Sequence, residues 1–408
     1  MVVGSHTAGI LGREIVFELS RNAQQWPTVH ALSRSKKEDY PDNVVHNHVD
    51  LTSSADDMAK ELTNVQGEYV FFAAYLQKDT EQENWDVNGA MLDNFLSALE
   101  KTRAIDVVKR IILVTGCKQY GVHLGVPKNP MTEDDPWLIG DQWPPNFYYN
   151  QQNILHKFCK EHNKEWVVTY PNDVIGYAYG NFMNLALALA LYAVVQRELK
   201  QDLVFPGSPD FYIKFDCFTS SKIHAQFCAW AALEPRAANQ AFNVHNGDTE
   251  SWQNMWPKVA EYFGMKVATD QFAGTHASEQ GSSTALADKP PISVLAPELG
   301  LINHGITNQS KVEQQIDLIK WSQRDDVKGA WAKVADREGL DKEAFGKATW
   351  GFLGFVLGRA YDIVIGMSKA RKAGWTGYAD TWESLEGVFG ELEKAKLLPK
   401  KRRLRARG

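Results

Sequence analysis

Two stretches of the 408-residue sequence carry a phenol and an amine that could act on one substrate oxygen. Tyr149 directly follows Tyr148 in one stretch, and Lys118 lies upstream in the other. A preorganised O–H donor stabilises the negative charge that develops on a carbonyl oxygen, and a nearby ammonium favours the ionised form of that donor. We therefore predict Tyr149 as the catalytic phenol and Lys118 as the group that tunes it. Tyr148 is the alternative phenol. A purely structural alternative is that Tyr149 is a core aromatic residue and Lys118 a surface lysine.

The sequence begins with an apolar strand, Met1–Val3, which a Gly-rich turn connects to a helical pattern. In this turn Gly9 and Gly12 occupy the last two glycine positions of a GxxGxxG pattern. His6 occupies the first position, where Gly4 could substitute in a longer turn. Glycines at such a turn let backbone N–H groups approach a pyrophosphate at the helix N-terminus. The segment predicts a dinucleotide-binding Rossmann unit, with an ordinary glycine turn as the alternative.

The end of the second predicted strand, Val29–Leu32, indicates which dinucleotide is bound. In Rossmann units an acidic residue at this point holds the ribose 2′-hydroxyl of NAD, whereas an arginine accommodates the 2′-phosphate of NADP. The strand end carries Ser33 and Arg34 and no acidic residue. We therefore predict NADPH as the cofactor, and a solvated surface charge is the alternative interpretation of Arg34.

Four further segments predict strands of the same sheet: Val44–Val49, Tyr69–Tyr75, Arg110–Val114 and Trp166–Tyr170. Continuous apolar runs are typical of parallel strands that helices cover on both faces, and ligands bind beyond the carboxyl ends of such strands. We therefore predict that residues at these ends and around the first turn contact the cofactor. Besides the glycines, Arg34 and Tyr149, the predicted contacts are Thr7, Ile10, Ser33, Asp50, Leu51, Ala73, Ala74, Thr115, Gly116, Pro171, Val174 and Ile175.

These segments predict an α/β fold, in which a Rossmann-type, doubly wound parallel sheet is followed by a smaller, mainly helical C-terminal substrate lobe. The predicted Rossmann domain covers residues 1–175, and later strands return to its sheet around 205–245. The predicted substrate lobe covers residues 176–399. Residues 400–408 are strongly basic, and we interpret them as a disordered, solvated tail, with a nuclear-import or phosphate-binding segment as the alternative.

The composition argues against several other classes of protein. The net charge of −6 gives no nucleic-acid signature. The longest apolar run, Leu185–Val195, is shorter than the roughly 20 residues of a membrane span and predicts a buried helix. The four cysteines form no CxxC pair and are too few for a disulfide framework in a chain of this length, so we predict reduced thiols and no metal site. We find no secretory signal pattern and expect a cytoplasmic protein.

Five motifs stand out: TGCKQY, NFYY, PNDVIG, FPGS and AFNVHNGD. Together with the segment around Trp350 they resemble the progesterone 5β-reductase/iridoid synthase-like (PRISE) family of atypical extended short-chain dehydrogenases/reductases, over about Gly4 to Pro399. The resemblance implies that NADPH reduces an activated C=C bond of an enone or enal, with hydride transfer to the β-carbon. It implies that Tyr149 holds the enolate oxygen and that Lys118 replaces the usual helix lysine, whose position carries Asn153.

The predicted partner is a small α,β-unsaturated carbonyl compound, in secondary metabolism, with no nucleic acid and no membrane; a homodimer is left open. Two alternatives remain. The first, from the same fold, is 1,2-reduction of a ketone or an isomerase or cyclase activity, and the second is a non-catalytic NADP-sensing regulator of the atypical dehydrogenase type. Trp350 and Phe352 have a spacing that also fits helix core positions. The predicted substrate-pocket residues are Tyr120, Tyr148, Met183, Trp350 and Phe352.

Overall fold

The structure is a computed structural model that describes residues 1–4, 9–36, 38–178, 183–273 and 281–401. The predicted cofactor contact Thr7 lies outside these ranges, as does the predicted tail beyond residue 401. Within them, the strands in chain order are β1 Val2–Val3, β2 Val29–Ser33, β3 Val44–His48, β4 Tyr69–Phe72, β5 Arg110–Val114, β6 Glu165–Pro171, β7 Val174–Ile175, β8 Phe215–Asp216, β9 Thr219–Ser220, β10 Gln240–Val244, β11 Glu250–Ser251, β12 Ser282–Ala285 and β13 Lys311–Gln314.

Seven of these strands form one parallel sheet in the order β10-β6-β5-β4-β1-β2-β3. The chain runs outward from β1 to β3, then restarts at β4 on the other side of β1, so the sheet reverses its order between β1 and β4. Ligands bind beyond the carboxyl ends of the strands at such a reversal. The sheet is the predicted doubly wound Rossmann sheet, and this prediction is confirmed.

Helices connect the strands and build the C-terminal lobe. The helices in chain order are α1 Ile10–Ser20, α2 Ala55–Glu61, α3 Glu81–Lys101, α4 Phe147–His162, α5 Leu185–Glu198, α6 Pro209–Ile213, α7 Ser221–Leu233 and α8 Trp252–Tyr262, followed by Leu318–Gln323, Asp325–Glu338, Trp350–Leu357, Ser368–Lys372 and Thr381–Lys394. Short 3-10 helices lie at Ala104–Val107, Cys117–Tyr120, Pro235–Ala237, Pro291–Val294 and Gly305–Thr307.

Helices cover both faces of the sheet, as β5 illustrates. Ile111 and Leu113 pack in the layer that contains α3 and α4, whereas Ile112 packs in the layer that contains α1 and α7. All three side chains are fully buried. Successive side chains of a strand point to opposite faces, so a strand covered on both sides needs apolar residues at every position.

The helix that carries the two candidate phenols begins just before them. α4 starts at Phe147, because the side chain of Asn146 accepts a hydrogen bond from the backbone N–H of Tyr148 at 3.1 Å. Tyr148 and Tyr149 therefore lie on the first helical turn instead of a loop. Neighbouring residues on an α-helix point about 100° apart, so the two phenols cannot face the same space.

The C-terminal lobe packs around α5, which contains the longest apolar run of the sequence. Every side chain from Leu185 to Val195 is buried, and the ring of Tyr192 contacts Trp256 and Trp321 from neighbouring helices. The run is a core helix, as predicted. Among the residues that the structure describes, no helix combines the length and the apolar character needed to cross a membrane.

A buried ion pair joins this lobe to the loop after β6. The guanidinium of Arg359 donates to both carboxylate oxygens of Asp173, at 2.5 and 3.0 Å, and lies 3.6 Å from Asp216. Burial opposes the ionisation of Asp173, but Arg359 holds the pKa of this carboxyl below its usual range. Burial and the charge of Asp173 raise the pKa of Asp216 well above its usual range. Arg359 and Asp173 therefore form the charged pair, and Asp216 is the protonated neighbour.

Replacing Arg359 with Met should lower the free energy of unfolding by about 3–5 kcal/mol, because the carboxylate of Asp173 would remain buried without its cation. Chemical denaturation measures this change. Arg324→Met is the matched control, since Arg324 pairs with Asp326 at the surface with 40% of its side chain exposed, and such pairs contribute little. Equal stability of the two variants would contradict the interpretation.

Two buried neutral histidines should make the protein less stable in mild acid. Burial lowers the pKa of His224 to about 3 and that of His245 to about 4. Below the ordinary histidine pKa of about 6.5, the unfolded chain binds protons that the folded chain excludes, so stability falls by up to about 1.4 kcal/mol per histidine per pH unit. The contribution is complete above pH 6.5 and decreases towards pH 4. Urea unfolding at pH 7.5 and 5.5 measures the loss, and His224→Gln should reduce it.

Candidate active site

The candidate site is the crevice at the carboxyl edge of the parallel sheet, and the N-terminus of α1 borders it on one side. Gly9 is the N-cap of this helix and provides no side-chain cap, and among the described residues a Cβ at Gly9 would meet nothing within 4 Å. A Cβ at Gly12 would lie 3.6 Å from the Cβ of Ala73, so α1 packs close to the end of β4. The backbone N–H of Gly4 donates to Leu32 at 3.1 Å. Backbone N–H groups at such an open helix start suit an anion. These residues therefore fit the predicted phosphate-binding turn.

The ends of β2 and β3 form the outer part of the crevice. Arg34 is exposed at the end of β2. Hydrogen bonds from Thr52, and to a smaller extent the charge of Arg34, hold the pKa of Asp50 below its usual range. Two predicted contacts are corrected at this point. The Ser33 hydroxyl is buried and lies 2.9 Å from Nε2 of His46, and Leu51 is buried in the core, so neither side chain is presented to a ligand.

The ends of β5 and β6 meet at Gly116. Thr115 Oγ1 donates to the carbonyl of Thr169 at 3.0 Å, which ties the two strand ends together. A Cβ at Gly116 would lie 3.1 Å from the hydroxyl oxygen of Tyr148 and 3.2 Å from the carbonyl oxygen of Pro171. Gly116, Tyr148 and Pro171 therefore converge at the carboxyl edge of the sheet, where ligands bind in open α/β folds.

The predicted contacts Val174 and Ile10 pack against each other and against Ala178. Ile175 is instead buried in the core of the C-terminal lobe. Ala74 is buried, whereas Ala73 is half-buried beside Gly12. These side chains shape the floor of the crevice without offering it polar groups.

Tyr149 does not present its hydroxyl to this edge, which corrects the sequence-based choice between the two phenols. The hydroxyl donates to the carbonyl of Gln119 at 2.7 Å and accepts from the backbone N–H of Leu138 at 3.0 Å. The ring stacks on Trp137 with centroids 4.6 Å apart. Burial raises the pKa of Tyr149 to about 12. Its hydroxyl therefore holds the loop before α4 in place.

Tyr148 is the phenol that the structure places beside Gly116. Its side chain is half-buried, and its hydroxyl has no hydrogen-bond partner among the described residues. Burial raises the pKa of Tyr148, with smaller contributions from Tyr75, Cys117 and Glu81. The hydroxyl therefore keeps its proton over the physiological pH range and can donate it to a ligand.

Lys118 is paired with a carboxylate and with neither phenol among the described contacts. Its Nζ donates to the two carboxylate oxygens of Glu81 at 2.7 and 2.6 Å and lies 5.4 Å from the ring centroid of Phe147. Burial lowers the pKa of Lys118, while Glu81 acts in the opposite direction. The expected contact between Lys118 and Tyr149 is not formed, because Tyr149 points to the loop instead.

Comparison with known proteins shows the family of this chain. A PRISE-like Rossmann-fold domain matches residues 18–289. The chain belongs to the PRISE family. Uncharacterized protein C757.02c of Schizosaccharomyces pombe is 40% identical to this PRISE chain over 398 residues, which cover 96% of each protein. The chain is therefore an enzyme of the short-chain dehydrogenase/reductase class, as predicted.

Two plant relatives of this PRISE chain carry names that describe reactions. The (S)-8-oxocitronellyl enol synthase ISY1 of Nepeta racemosa is 28% identical over 90% of this chain and 83% of the relative. The 3-oxo-Delta(4,5)-steroid 5-beta-reductase of Arabidopsis thaliana is 26% identical over 86% of this chain and 79% of the relative. Among solved structures, the Bordetella bronchiseptica enzyme WbmG in complex with NAD and UDP has a TM-score of 0.56 at 12% identity, over 97% of this chain and 96% of that chain. This last likeness concerns the fold.

In the PRISE chain, the helix position four residues after Tyr148 carries the neutral amide of Gln152. Gln152 donates to Gln119 Oε1 at 2.8 Å and to the carbonyl of Tyr148 at 3.0 Å, and it accepts from the hydroxyl of Tyr170 at 2.7 Å. Asn153, which lies four residues after Tyr149, is exposed. The cation of the site therefore comes from the Cys117–Tyr120 segment instead of from α4.

Glu81 is the site residue that the sequence analysis missed. α3 begins at Glu81, because Thr80 and Glu83 form a capping box at its N-terminus. The pattern Thr80-x-x-Glu83 is a recognised signal for a helix start and could have located this residue at the first turn.

Two of the predicted substrate-pocket residues lie in the core instead. The hydroxyl of Tyr120 donates to Asn243 Oδ1 at 2.7 Å, and its side chain is buried. Trp350 packs in the core of the C-terminal lobe, where its indole N–H donates to the carbonyl of Phe345 at 3.2 Å. Phe352 is half-buried against the same core, and Met183 is 37% exposed. Tyr148 is the member of the predicted set that reaches the carboxyl edge of the sheet.

Proposed function

We propose that this PRISE enzyme uses NADPH to reduce the C=C bond of an α,β-unsaturated carbonyl compound. The observation that carries the proposal is the hydroxyl of Tyr148, which is protonated, unbonded among the described residues and close to Gly116 at the carboxyl edge of the sheet. The names of the two plant relatives, an enol synthase and a 5β-reductase of a conjugated steroid ketone, describe chemistry of this class.

Described residues at the carboxyl edge of the sheet suit parts of a nicotinamide dinucleotide. Gly9 has no side chain to obstruct a pyrophosphate at the start of α1, and Arg34 is exposed where a ribose 2′-phosphate would lie. Gly116 leaves space beside Pro171 and Tyr148 that a Cβ would narrow. NADPH bound in this way supplies the hydride for the β-carbon of the substrate.

Tyr148 acts on the carbonyl oxygen in this proposal. As hydride arrives at the β-carbon, negative charge develops on that oxygen, and a neutral phenol donates a hydrogen bond to it. The α-carbon of the resulting enolate then takes up a proton, which gives the saturated carbonyl compound. Loss of one such preorganised donor typically lowers turnover by about 10²–10³-fold. Because the pKa of Tyr148 is raised by burial, the phenol begins each cycle in the donating form.

Lys118 contributes a fixed positive charge at the same edge. Its ammonium carries three protons, of which two are directed to the carboxylate of Glu81. The third proton is available to an oxygen of the bound ligand. In this proposal Lys118 acts on the ligand directly. The role expected for it, to favour the ionised form of Tyr149, would need a contact between the two that is not among the described ones.

The reaction is tested by NADPH consumption with small enals, cyclic enones and conjugated steroid ketones, followed by identification of the product. A saturated carbonyl compound is the expected product. An allylic alcohol would instead indicate 1,2-reduction, and an isomerised or cyclised product without net reduction would indicate an isomerase or cyclase. Absence of turnover with all three substrate classes, in protein that binds NADPH, would favour a non-catalytic regulator.

Tyr148→Phe should lower kcat for an enone by about 10²–10³-fold, because one donor to the developing oxyanion is lost. NADPH binding, measured by fluorescence titration, should remain close to that of the wild type. Tyr149→Phe is the matched control: it loses the hydrogen bonds to Gln119 and Leu138 and should lower Tm, with kcat of the folded protein retained. If Tyr148→Phe retained kcat and folded Tyr149→Phe lost it, the catalytic role would belong to Tyr149.

Arg34→Ala should raise KM for NADPH by roughly tenfold and leave KM for NADH unchanged, because a charge-assisted hydrogen bond to the 2′-phosphate is lost. Steady-state kinetics with both cofactors measure the two constants. Arg21→Ala serves as the control, since Arg21 lies at the far end of α1 and pairs with Glu14 and Glu18. A similar increase for both cofactors would reject the phosphate-binding role.

A further inference from the structure

The ion pair between Lys118 and Glu81 is a feature of the site that the reaction chemistry alone does not require. Glu81 is the first residue of α3, and both of its carboxylate oxygens accept from Lys118 Nζ. The two side chains are only 19% and 31% exposed. Charge-assisted hydrogen bonds in such a partly buried setting are stronger than ion pairs at the open surface.

Lys118 has few other groups that could keep it charged. His123 faces it from the segment after the 3-10 helix; burial, and then the charge of Lys118, hold the pKa of His123 well below its usual range. Nδ1 of His123 is buried without a hydrogen-bond partner among the described residues. Phe147 contributes only a ring face from α4. Among the described groups around Lys118, Glu81 therefore supplies the negative charge that opposes the cost of burying the ammonium.

The same carboxylate also affects the phenols of the crevice. Tyr75, from the end of β4, and Tyr148, from α4, both have a pKa raised by burial and, to a smaller extent, by the charge of Glu81. Tyr75 stacks on Phe147 with centroids 5.2 Å apart, so these groups form one cluster. The cluster contains one cation, one carboxylate and two neutral phenols.

We propose that Glu81 is a positioning residue for the reduction: it fixes the Lys118 ammonium at the crevice and keeps it charged, so that the remaining proton of Nζ serves a ligand oxygen. The inference rests on the proposed function, because it assigns Glu81 a part in that reaction. Since the carboxylate offsets the charge of Lys118, Tyr148 remains a hydrogen-bond donor. This arrangement suits reduction and disfavours removal of a proton from an alcohol.

The test is the pH dependence of kcat/KM for enone reduction by the full-length protein. In Glu81→Gln the ammonium loses its anionic partner, so its pKa falls and the alkaline limb of the profile should move to lower pH. At pH 9, relative to pH 6.5, the variant should lose about tenfold more activity than the wild type. Glu81→Asp, which keeps the charge, should restore most of the wild-type profile.

Glu83→Gln is the matched control, because it makes the same charge change on the same helical turn and keeps a side-chain acceptor for the capping box. Its profile should match that of the wild type. Lys118→Arg gives a second measurement that does not require Glu81→Gln to fold: arginine stays charged, so the alkaline limb should disappear below pH 10. An alkaline limb that stays in place in Lys118→Arg, or in folded Glu81→Gln, overturns the inference. A wild type that reduces no enone would instead end the proposed function itself.

Discussion

The side-chain amide of Asn146 joins the start of α4 to the segment that carries Lys118. Asn146 accepts from the backbone N–H of Tyr148 at 3.1 Å and donates to the carbonyl of Lys118 at 2.9 Å. It therefore fixes where α4 begins and also attaches that helix to the segment that carries the amine. Asn146 is buried, so both bonds are sheltered from competing water. The start of α4 sets the direction of each phenol, and hydrogen bonds from Tyr149 and Gln152 to Gln119 reinforce the link.

The electrostatics of the site follow from burial of groups that the helix starts bring together. α3 and α4 both begin at the carboxyl edge of the sheet, and their first turns bring Glu81 and Tyr148 to the same side as Lys118. A low-dielectric setting disfavours isolated charge, so the phenols remain neutral and the amine is paired. In the proposed reaction, such a site offers hydrogen-bond donors to a ligand oxygen and offers it no base. The packing of the two helices would then favour reduction.

Much of the fold could be predicted from the sequence, because apolar runs such as Arg110–Val114 leave few alternatives to a buried parallel strand. The family resemblance was also sound. The choice between Tyr148 and Tyr149 could not be made in this way, because it depends on a helix start at Phe147, and an offset of one residue turns a side chain by about 100°. Trp350 shows a related limit: a large aromatic residue on a helix fits a pocket and a core equally until its neighbours are known.

The pair between Arg359 and Asp173 gives the C-terminal lobe a mechanical role. Asp173 follows Pro171 and Asn172 in the loop that borders the crevice, and its partner belongs to the opposite lobe. Pulling the lobes apart at this point would separate two opposite charges in a dry interior, which is costly. The ion pair therefore holds this border of the crevice in place, and we expect no hinge here. A ligand that approaches Pro171 and Asn172 therefore meets a border whose position is held by opposite charges.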